Sequence, residues 1–570
     1  MSRWRARAAL VLACLVAYAN APMGAFHYDD QHAIVQNPFI RSLANVPKFF
    51  ADPSTFSAVA QNQQYRPLLL VSYALGAQLF GVRPAVFIFG NLLIHIANVL
   101  LFAVLFARVR KRLGHRQEGA FDSVAFFGAL IFAVHPLLSE CINYPSARSE
   151  SLSALFMLAA LVCFTDRSSS RTWLGSALAA ATLAFAAMFV KMTAVVTPLL
   201  SLVLMRLEAE VERKSGGGRR WWRFAVLCGG TLAGAAIVAR MTPETAIAAA
   251  HGFSREVYFF SELPALWHYV RLFLLPLGQS GDPAYPCVTS IDPAVMVSLA
   301  AWIAVVVFSL VGLVRRRHLG LSVVALWFLI CLLPSSSVFP LAEIANEHRP
   351  YLATCALAAL AAELLCRSPL RFERGQVSSL AQVAMVTVTL VTLTLLRNRV
   401  WKSEETFWLD VVTKSPWSAS AHANYGRYLL ERGEMVEAEA HLRKAVELDP
   451  ENPFALIDLG QFFLQQGRAT DAIRELDAAV ASAKDLFYTH YHRGLGGMQI
   501  GEPAEKVAGY FREVIRQSPS FPDAHYRLAQ LYLAMGEVAA AQREAARAIE
   551  LRGSPDDEQL MQQLRSIAPR

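Results

Sequence analysis

Residues 84–106 read PAVFIFGNLLIHIANVLLFAVLF, and this stretch decides the class of the fold. It holds no Asp, Glu, Lys or Arg, and as a helix rising about 1.5 Å per residue it can cross a hydrocarbon core of roughly 30 Å. Similar runs lie on both sides of it. The first is Ala8–Met23, and later ones fall at about Phe121–Leu138, Ser151–Phe164, Thr172–Val190, Ala194–Met205 and Phe224–Val238. Four more follow at Ala294–Val314, Leu321–Leu333, Leu352–Cys366 and Leu380–Leu396. With 55% hydrophobic and only 17% charged residues, the composition is that of an integral membrane protein. Beyond Leu396 no run could span a bilayer. The pattern predicts an all-α chain with about eleven spans over residues 1–400, including a first outer loop at 24–82, and a separate domain over 401–570.

Charge orients the spans. Ser2 to Arg7 is basic, and Ala19-Asn20-Ala21-Pro22 places proline straight after the only cleavage-like site, so a retained first span with a cytoplasmic N-terminus is expected. The groups Arg3/Arg5/Arg7, Arg108–Arg116, Arg167/Arg171, Arg206–Arg223, Arg315–Arg317 and Arg367/Arg371/Arg374 then fall on one side, which becomes the cytoplasmic one. Arg397, Arg399 and Lys402 count more weakly against this orientation. Leu263–Leu277, interrupted by His268, Arg271 and Pro276, is read as re-entrant or interfacial, because a span there would flip Arg315–Arg317 outward. The net charge of +8 lies mostly in these short loops, not on a basic face, which excludes nucleic acid as a partner. Most of the eight cysteines lie in apolar runs without metal-ligand spacing, while Cys141 and Cys287 sit in outward loops that an oxidising compartment could bridge. An Ala- and Arg-rich chain with compact loops points to a bacterial inner membrane.

After Trp401 the pattern changes to a repeat near 34 residues. Tyr425-Gly426, Ala438 and Pro450 recur as Leu459-Gly460 and Ala472, then Val507 and Pro519, then Leu528-Ala529 and Ala541. Small residues on paired helices allow close approach, and the prolines end the second helix of a pair. These are tetratricopeptide repeats forming an α-solenoid, the third degenerate with Leu495 where glycine is expected. Eleven spans put this domain on the outer, periplasmic side, where a stacked groove suits an extended peptide.

Polar residues collect at the outer ends of the apolar runs. Phe26-His27-Tyr28-Asp29-Asp30 follows the first span, and Tyr65-Arg66-Pro67-Leu68 opens a stretch to Phe80 that reads as an interfacial amphipathic helix. His135-Pro136, Glu140, Arg148, Lys191 and Glu347-His348-Arg349 complete the set. Singly, each is a common cap or snorkelling cation at a membrane surface. Together, carboxylates and fixed cations on one side suit a reaction of a membrane-borne anionic substrate. A carboxylate can take the proton of an attacking hydroxyl, and Arg or Lys can stabilise a departing phosphate. Asp29-Asp30 is not a D-x-D metal motif and no His/Cys cluster has zinc spacing, so neither metal nor cofactor is expected.

In Tyr28-Asp29-Asp30, Tyr65-Arg66-Pro67-Leu68, His135-Pro136 with Glu140 and Arg148, Lys191, and Glu347-His348-Arg349-Pro350-Tyr351-Leu352, followed by the repeats, the chain resembles the transmembrane and tetratricopeptide-repeat protein O-mannosyltransferases of the GT-C superfamily. The resemblance covers nearly the whole chain. It implies that Asp29 is the catalytic base and Asp30 its supporting neighbour. It also implies a polyprenyl-phosphate sugar, mannose-type, as donor, with inversion at the anomeric carbon and a protein Ser/Thr hydroxyl as acceptor. Arg148, Lys191, Arg349, Arg66, His135, Glu140 and Glu347 are the candidates for donor phosphate or substrate. Relatives often have Lys-Glu at the turn where this chain has Lys191-Met192, which removes a polar contact. A non-catalytic membrane scaffold carrying the repeats is the rival reading. A transporter fits less well, since no inverted repeat of spans is visible.

Overall fold

The computed structural model describes residues 2–57, 62–115, 122–166, 173–208, 218–243, 254–289, 292–337, 340–341, 343–367, 371–372, 375–376, 379–519, 521–551 and 554–567. Arg116, Arg167, Arg171, Arg213, Lys214 and Arg374 of the proposed cytoplasmic loops lie outside the described residues. Apart from a two-residue antiparallel pairing of Arg371–Phe372 with Gly375–Gln376, the described secondary structure is helical. Contacts divide the chain into two units, Met1–Phe407 and Trp408–Arg570.

In the first unit every predicted apolar run contains a helix. Among the described residues six helices meet the length and apolarity needed to cross a bilayer, namely Arg3–Met23, Pro84–Arg112, Pro145–Phe164, Arg220–Met241, Pro293–Arg315 and Leu380–Val400. Ser123–Val134 and Pro136–Asn143 make a seventh if taken as one span bent by 53°. Trp173–Met188, Met192–Leu207 and Leu319–Leu332 are apolar but shorter. The helix Arg255–Leu274, which takes in the interrupted stretch as far as Leu274 and ends before Pro276, is not among the spans and carries Pro264 inside it. The helix predicted after Arg66 forms as Pro67–Phe80. It is apolar on both faces rather than amphipathic, with Leu69, Leu70 and Tyr73 buried and Leu75, Leu79 and Phe80 exposed.

The helix Pro84–Arg112 also anchors the irregular backbone around it. Asn91, His95 and Asn98 recur at helical spacing on one of its buried faces. Asn91 Nδ2 donates to the carbonyls of Ile142 and Tyr144 at 3.2 and 3.3 Å. Asn98 Nδ2 donates to the carbonyl of Ser151 at 2.8 Å and to the Tyr351 hydroxyl at 3.0 Å. Non-helical backbone inside a membrane protein survives only where protein groups satisfy it, and Asn91 does so for the broken segment around 136–147.

Among the described residues the second unit opens with the end of the Glu404–Lys414 helix and continues as four helix pairs, Ala419–Glu431 with Met435–Leu448, Pro453–Gln465 with Ala469–Ser482, Phe487–Gln499 with Ala504–Gln517, and Pro522–Ala534 with Val538–Leu551. Pro555–Ile567 closes the array. The third pair corrects the expectation of a degenerate repeat. Its close-approach residue is Gly494, not Leu495: a Cβ on Gly494 would lie 2.9 Å from Phe511, as one on Gly426 or Gly460 would lie 2.7 or 2.8 Å from Leu442 or Leu476. The turn after Gly501 is one residue longer, ending in Pro503, so the second helix starts one position later. Gly494→Val is therefore expected to destabilise this unit by about 1–3 kcal/mol through overpacking. Pulse proteolysis of the solubilised chain checks this, and unchanged cleavage would restore the register that puts Leu495 at the contact.

Candidate functional site

The acidic pair sits on a loop that its own side chains hold in shape. Tyr28 has a left-handed backbone (φ 44°), unusual for a bulky residue, and a single π-turn over Gln31–Val35 follows the pair. His27 is buried beside Trp401 and Phe407, with ring centroids 5.5 and 4.8 Å away. Its Nε2 donates to the Trp401 carbonyl at 3.1 Å, and the Ala25 amide donates to the same oxygen at 3.1 Å. Burial pushes the His27 imidazole down to about 4, so it stays neutral at physiological pH.

The two carboxylates have opposite environments. Asp30 is wholly buried and accepts from the His27 amide at 3.0 Å, the Ser146 amide at 2.9 Å and the Ser146 hydroxyl at 2.6 Å. Burial pushes it up to about 7 despite these donors. Its bonds tie the loop to the segment before the Arg148–Phe164 helix. The Asp29 side chain is 66% exposed. Crowding by neighbouring atoms raises its pKa, but the hydrogen bond from His32 and the charges of His32, Arg66 and His348 outweigh that and leave it below the usual carboxylate range. Asp29 is the ionised, reachable carboxylate of the pair.

Asp29 lines a cleft of about 140 Å³ with His32, Phe56, Arg66, Tyr73 and Ser146. Arg66 Cζ lies 5.8 Å from the Phe56 ring centre, and its guanidinium makes no hydrogen bond or ion pair among the described residues. A second, water-sized cavity of about 20 Å³ is lined by Glu150, Ser153, Thr193, Ser335 and Arg349. Lys191 Nζ donates to Glu150 Oε1 on the Arg148–Phe164 helix. Arg349 Nη1 donates to the Ile344 carbonyl at 2.6 Å and pairs with Glu262 at 3.4 Å. Arg66, Glu150, Lys191 and Arg349 are close enough for their charges to act in sequence on one another.

The remaining candidates are committed elsewhere. Arg148 is buried, with Nε donating to Asn91 Oδ1 at 2.6 Å, Nη1 to the Ser72 carbonyl at 3.1 Å and Nη2 to the Phe87 carbonyl at 2.7 Å. It lies between the Tyr73 and Phe87 rings, and Gly90 leaves the room, since a Cβ there would be 2.9 Å from Nη2. Glu347 is buried and accepts from the Ser280 amide at 2.7 Å and Gln279 Nε2 at 3.1 Å, with Arg397 at 3.7 Å. His135 accepts from the Leu137 amide at 3.2 Å and donates from Nε2 to the Phe273 carbonyl at 2.9 Å, so both ring nitrogens are used at the helix break. Glu140 is buried and its Oε1 accepts from His348 Nδ1 at 2.6 Å. Cys141 is buried and Cys287 exposed, and both are free thiols. His348 belongs to the Glu347-His348-Arg349 set that the sequence singles out, whereas His32 does not. The spacing Asp29-x-x-His32 on a helical turn is the visible signal for His32.

A family model for the tetratricopeptide repeat matches residues 411–495 and 504–565. Over most of its length the chain is similar to proteins named protein O-mannosyl-transferase. It is 22% identical to F38B6.6 of Caenorhabditis elegans over 77% of this chain and 62% of that protein. It is 25% identical to human TMTC1 over 80% of this chain and 56% of that protein. It is 24% identical to Tmtc3 of Drosophila melanogaster over 84% of this chain and 58% of that protein. The chain thus spans about three-fifths of the length of these relatives. Among solved structures, the tetratricopeptide protein TTC0263 of Thermus thermophilus is 22% identical with a TM-score of 0.25, covering 31% of this chain and 93% of that one.

Proposed function

We propose that this chain is a membrane glycosyltransferase that moves a sugar, mannose by likeness to its relatives, from a polyprenyl-phosphate carrier to a hydroxyl of a protein. The observation that carries this reading is the cleft in which an ionised, accessible Asp29 and an Arg66 without a partner among the described residues face the same space. Asp29 takes the acceptor proton as the acceptor oxygen attacks the anomeric carbon. The bond from that carbon to the phosphate oxygen breaks on the opposite face, and the lipid phosphate leaves with the electron pair. Phosphate is already a good leaving group once its charge is met, so it needs a cation and no acid. Arg66 supplies that charge, with Lys191 and Arg349 next along the row. Attack opposite the leaving group inverts the anomeric centre. The repeats serve to recruit a protein acceptor, and the reaction lies on the outer membrane face that the loop charges assign.

Arg66→Met keeps the apolar stem and removes the charge. Losing a charged hydrogen bond worth about 1.5–3 kcal/mol should weaken binding of a polyprenyl phosphate by roughly ten- to a hundredfold. Binding of the labelled lipid to the reconstituted chain measures it. Equal affinity for wild type and Arg66→Met would remove Arg66 from the donor site and take the cleft reading with it.

A further inference from the structure

His32 stands between the proposed base and a buried hydroxyl. Its Nε2 lies 3.2 Å from Asp29 Oδ1 and its Nδ1 lies 2.9 Å from Ser57 Oγ. The ring is 13% exposed against 66% for the Asp29 side chain, so it forms the inner wall behind the carboxylate. A carboxylate oxygen can only accept, which places a proton on Nε2. The Ser57 hydroxyl can then donate to Nδ1 and hold the ring in that tautomer. Ser57 is itself buried, and it sits far along the loop from the pair. The chain Ser57–His32–Asp29 therefore connects two distant parts of that loop through one imidazole.

We propose that His32 is a positioning residue for the transfer reaction, occupying Asp29 Oδ1 so that Oδ2 alone is presented to the acceptor hydroxyl. This rests on the reading of Asp29 as base. Other groups act on Asp29 from its surroundings. Arg66 faces it from the entry to the Pro67–Phe80 helix, and His348 from the segment after the Leu319–Leu332 helix. The Asp29 amide donates to the Tyr144 hydroxyl at 3.2 Å, Asp30 is its chain neighbour, and Tyr28 packs 6.3 Å from Tyr144. Among these, His32 is the side chain hydrogen-bonded to the Asp29 carboxylate, so it is the group that can choose between its oxygens.

Two substitutions separate positioning from packing. The amide nitrogen of Gln at 32 reaches about as far as Nε2, whereas that of Asn reaches only about as far as Nδ1. His32→Gln therefore keeps a donor for Asp29, and His32→Asn keeps a contact for Ser57 but loses Asp29. The full chain is reconstituted in vesicles with polyprenyl-phosphate mannose and a Ser/Thr peptide, and initial rates are measured across pH. His32→Asn should lower kcat by about 10²-fold, the scale of a misoriented catalytic group, with KM for the donor nearly unchanged. Its acid limb should move to higher pH: without the donor the Asp29 carboxylate holds its proton more tightly, so the active ionised form is lost sooner on acidification. His32→Gln should restore kcat to within about tenfold of wild type and return the acid limb toward its position. Equal kcat losses in both variants, or an acid limb that stays in place in His32→Asn, would overturn the positioning role while wild-type transfer left the enzyme reading standing. No transfer by wild type would overturn the enzyme reading, and this proposal with it.

Discussion

Asp29→Asn is expected to lower sugar transfer by about 10²–10⁴-fold, the usual contribution of a positioned general base, while affinity for the donor lipid changes by only a few-fold. The two side chains have nearly the same shape. Asn Oδ1 can still accept from His32 Nε2 and the main-chain bond from the Asp29 amide to Tyr144 is unaffected, so the loop should keep its form. What is lost is the ability to accept a proton. Asp30 cannot take over, because both its oxygens are occupied by His27 and Ser146 and its side chain is buried. Single-turnover rates with donor saturating, set beside donor binding, separate chemistry from affinity. A rate loss matched by an equal loss of donor affinity would assign Asp29 to donor binding instead.

The second large effect is on folding. Arg148→Ala should destabilise the first unit by about 3–5 kcal/mol, because three buried neutral acceptors each lose their donor at a cost of about 1–3 kcal/mol apiece. Removing the guanidinium strands Asn91 Oδ1 and the carbonyls of Ser72 and Phe87, which sit on two different helices. It also leaves a hole between Tyr73 and Phe87. Arg148→Lys should rescue little, since one ammonium cannot span acceptors that the planar fork reaches together. The check is thermal stability in detergent together with the yield of folded chain. A stable Arg148→Ala protein with impaired donor binding would return Arg148 to the donor site.

Helices and repeats were readable because their signals are local. A run such as 84–106 needs no knowledge of its neighbours, and the 34-residue spacing of Ala438 and Ala472 carries the solenoid by itself. The third repeat misled because one extra residue after Gly501 moves the second helix relative to the first, and interval counting from Val507 then falls on Leu495. Spans were harder to count. His135-Pro136 turns one run into two helices, and only geometry shows that bend.

Within the site, chemistry-bearing residues were visible but their allegiance was not. Arg148 and Arg66 look alike in sequence, each next to an apolar run. Arg148 is consumed by acceptors at positions 72, 87 and 91, whereas Arg66 lines the cleft with Asp29. Glu347 likewise turns to Ser280 and Gln279 rather than to the cleft. Such long-range satisfaction leaves no periodic trace in a single sequence. The opposite environments of Asp29 and Asp30 are also tertiary, since Ser146 and Trp401, which fix the loop, lie more than a hundred positions away.

In the proposed reaction, transfer by this chain runs through the cleft of Asp29 and Arg66. The most direct measurement is incorporation of radiolabelled mannose from polyprenyl-phosphate mannose into a Ser/Thr-containing protein acceptor by the purified, reconstituted chain, with Asp29→Asn run alongside. Incorporation by wild type that falls by about 10²–10⁴-fold in Asp29→Asn is expected. No incorporation by wild type, together with full function of Asp29→Asn in cells, would contradict it and leave the chain a membrane-anchored scaffold.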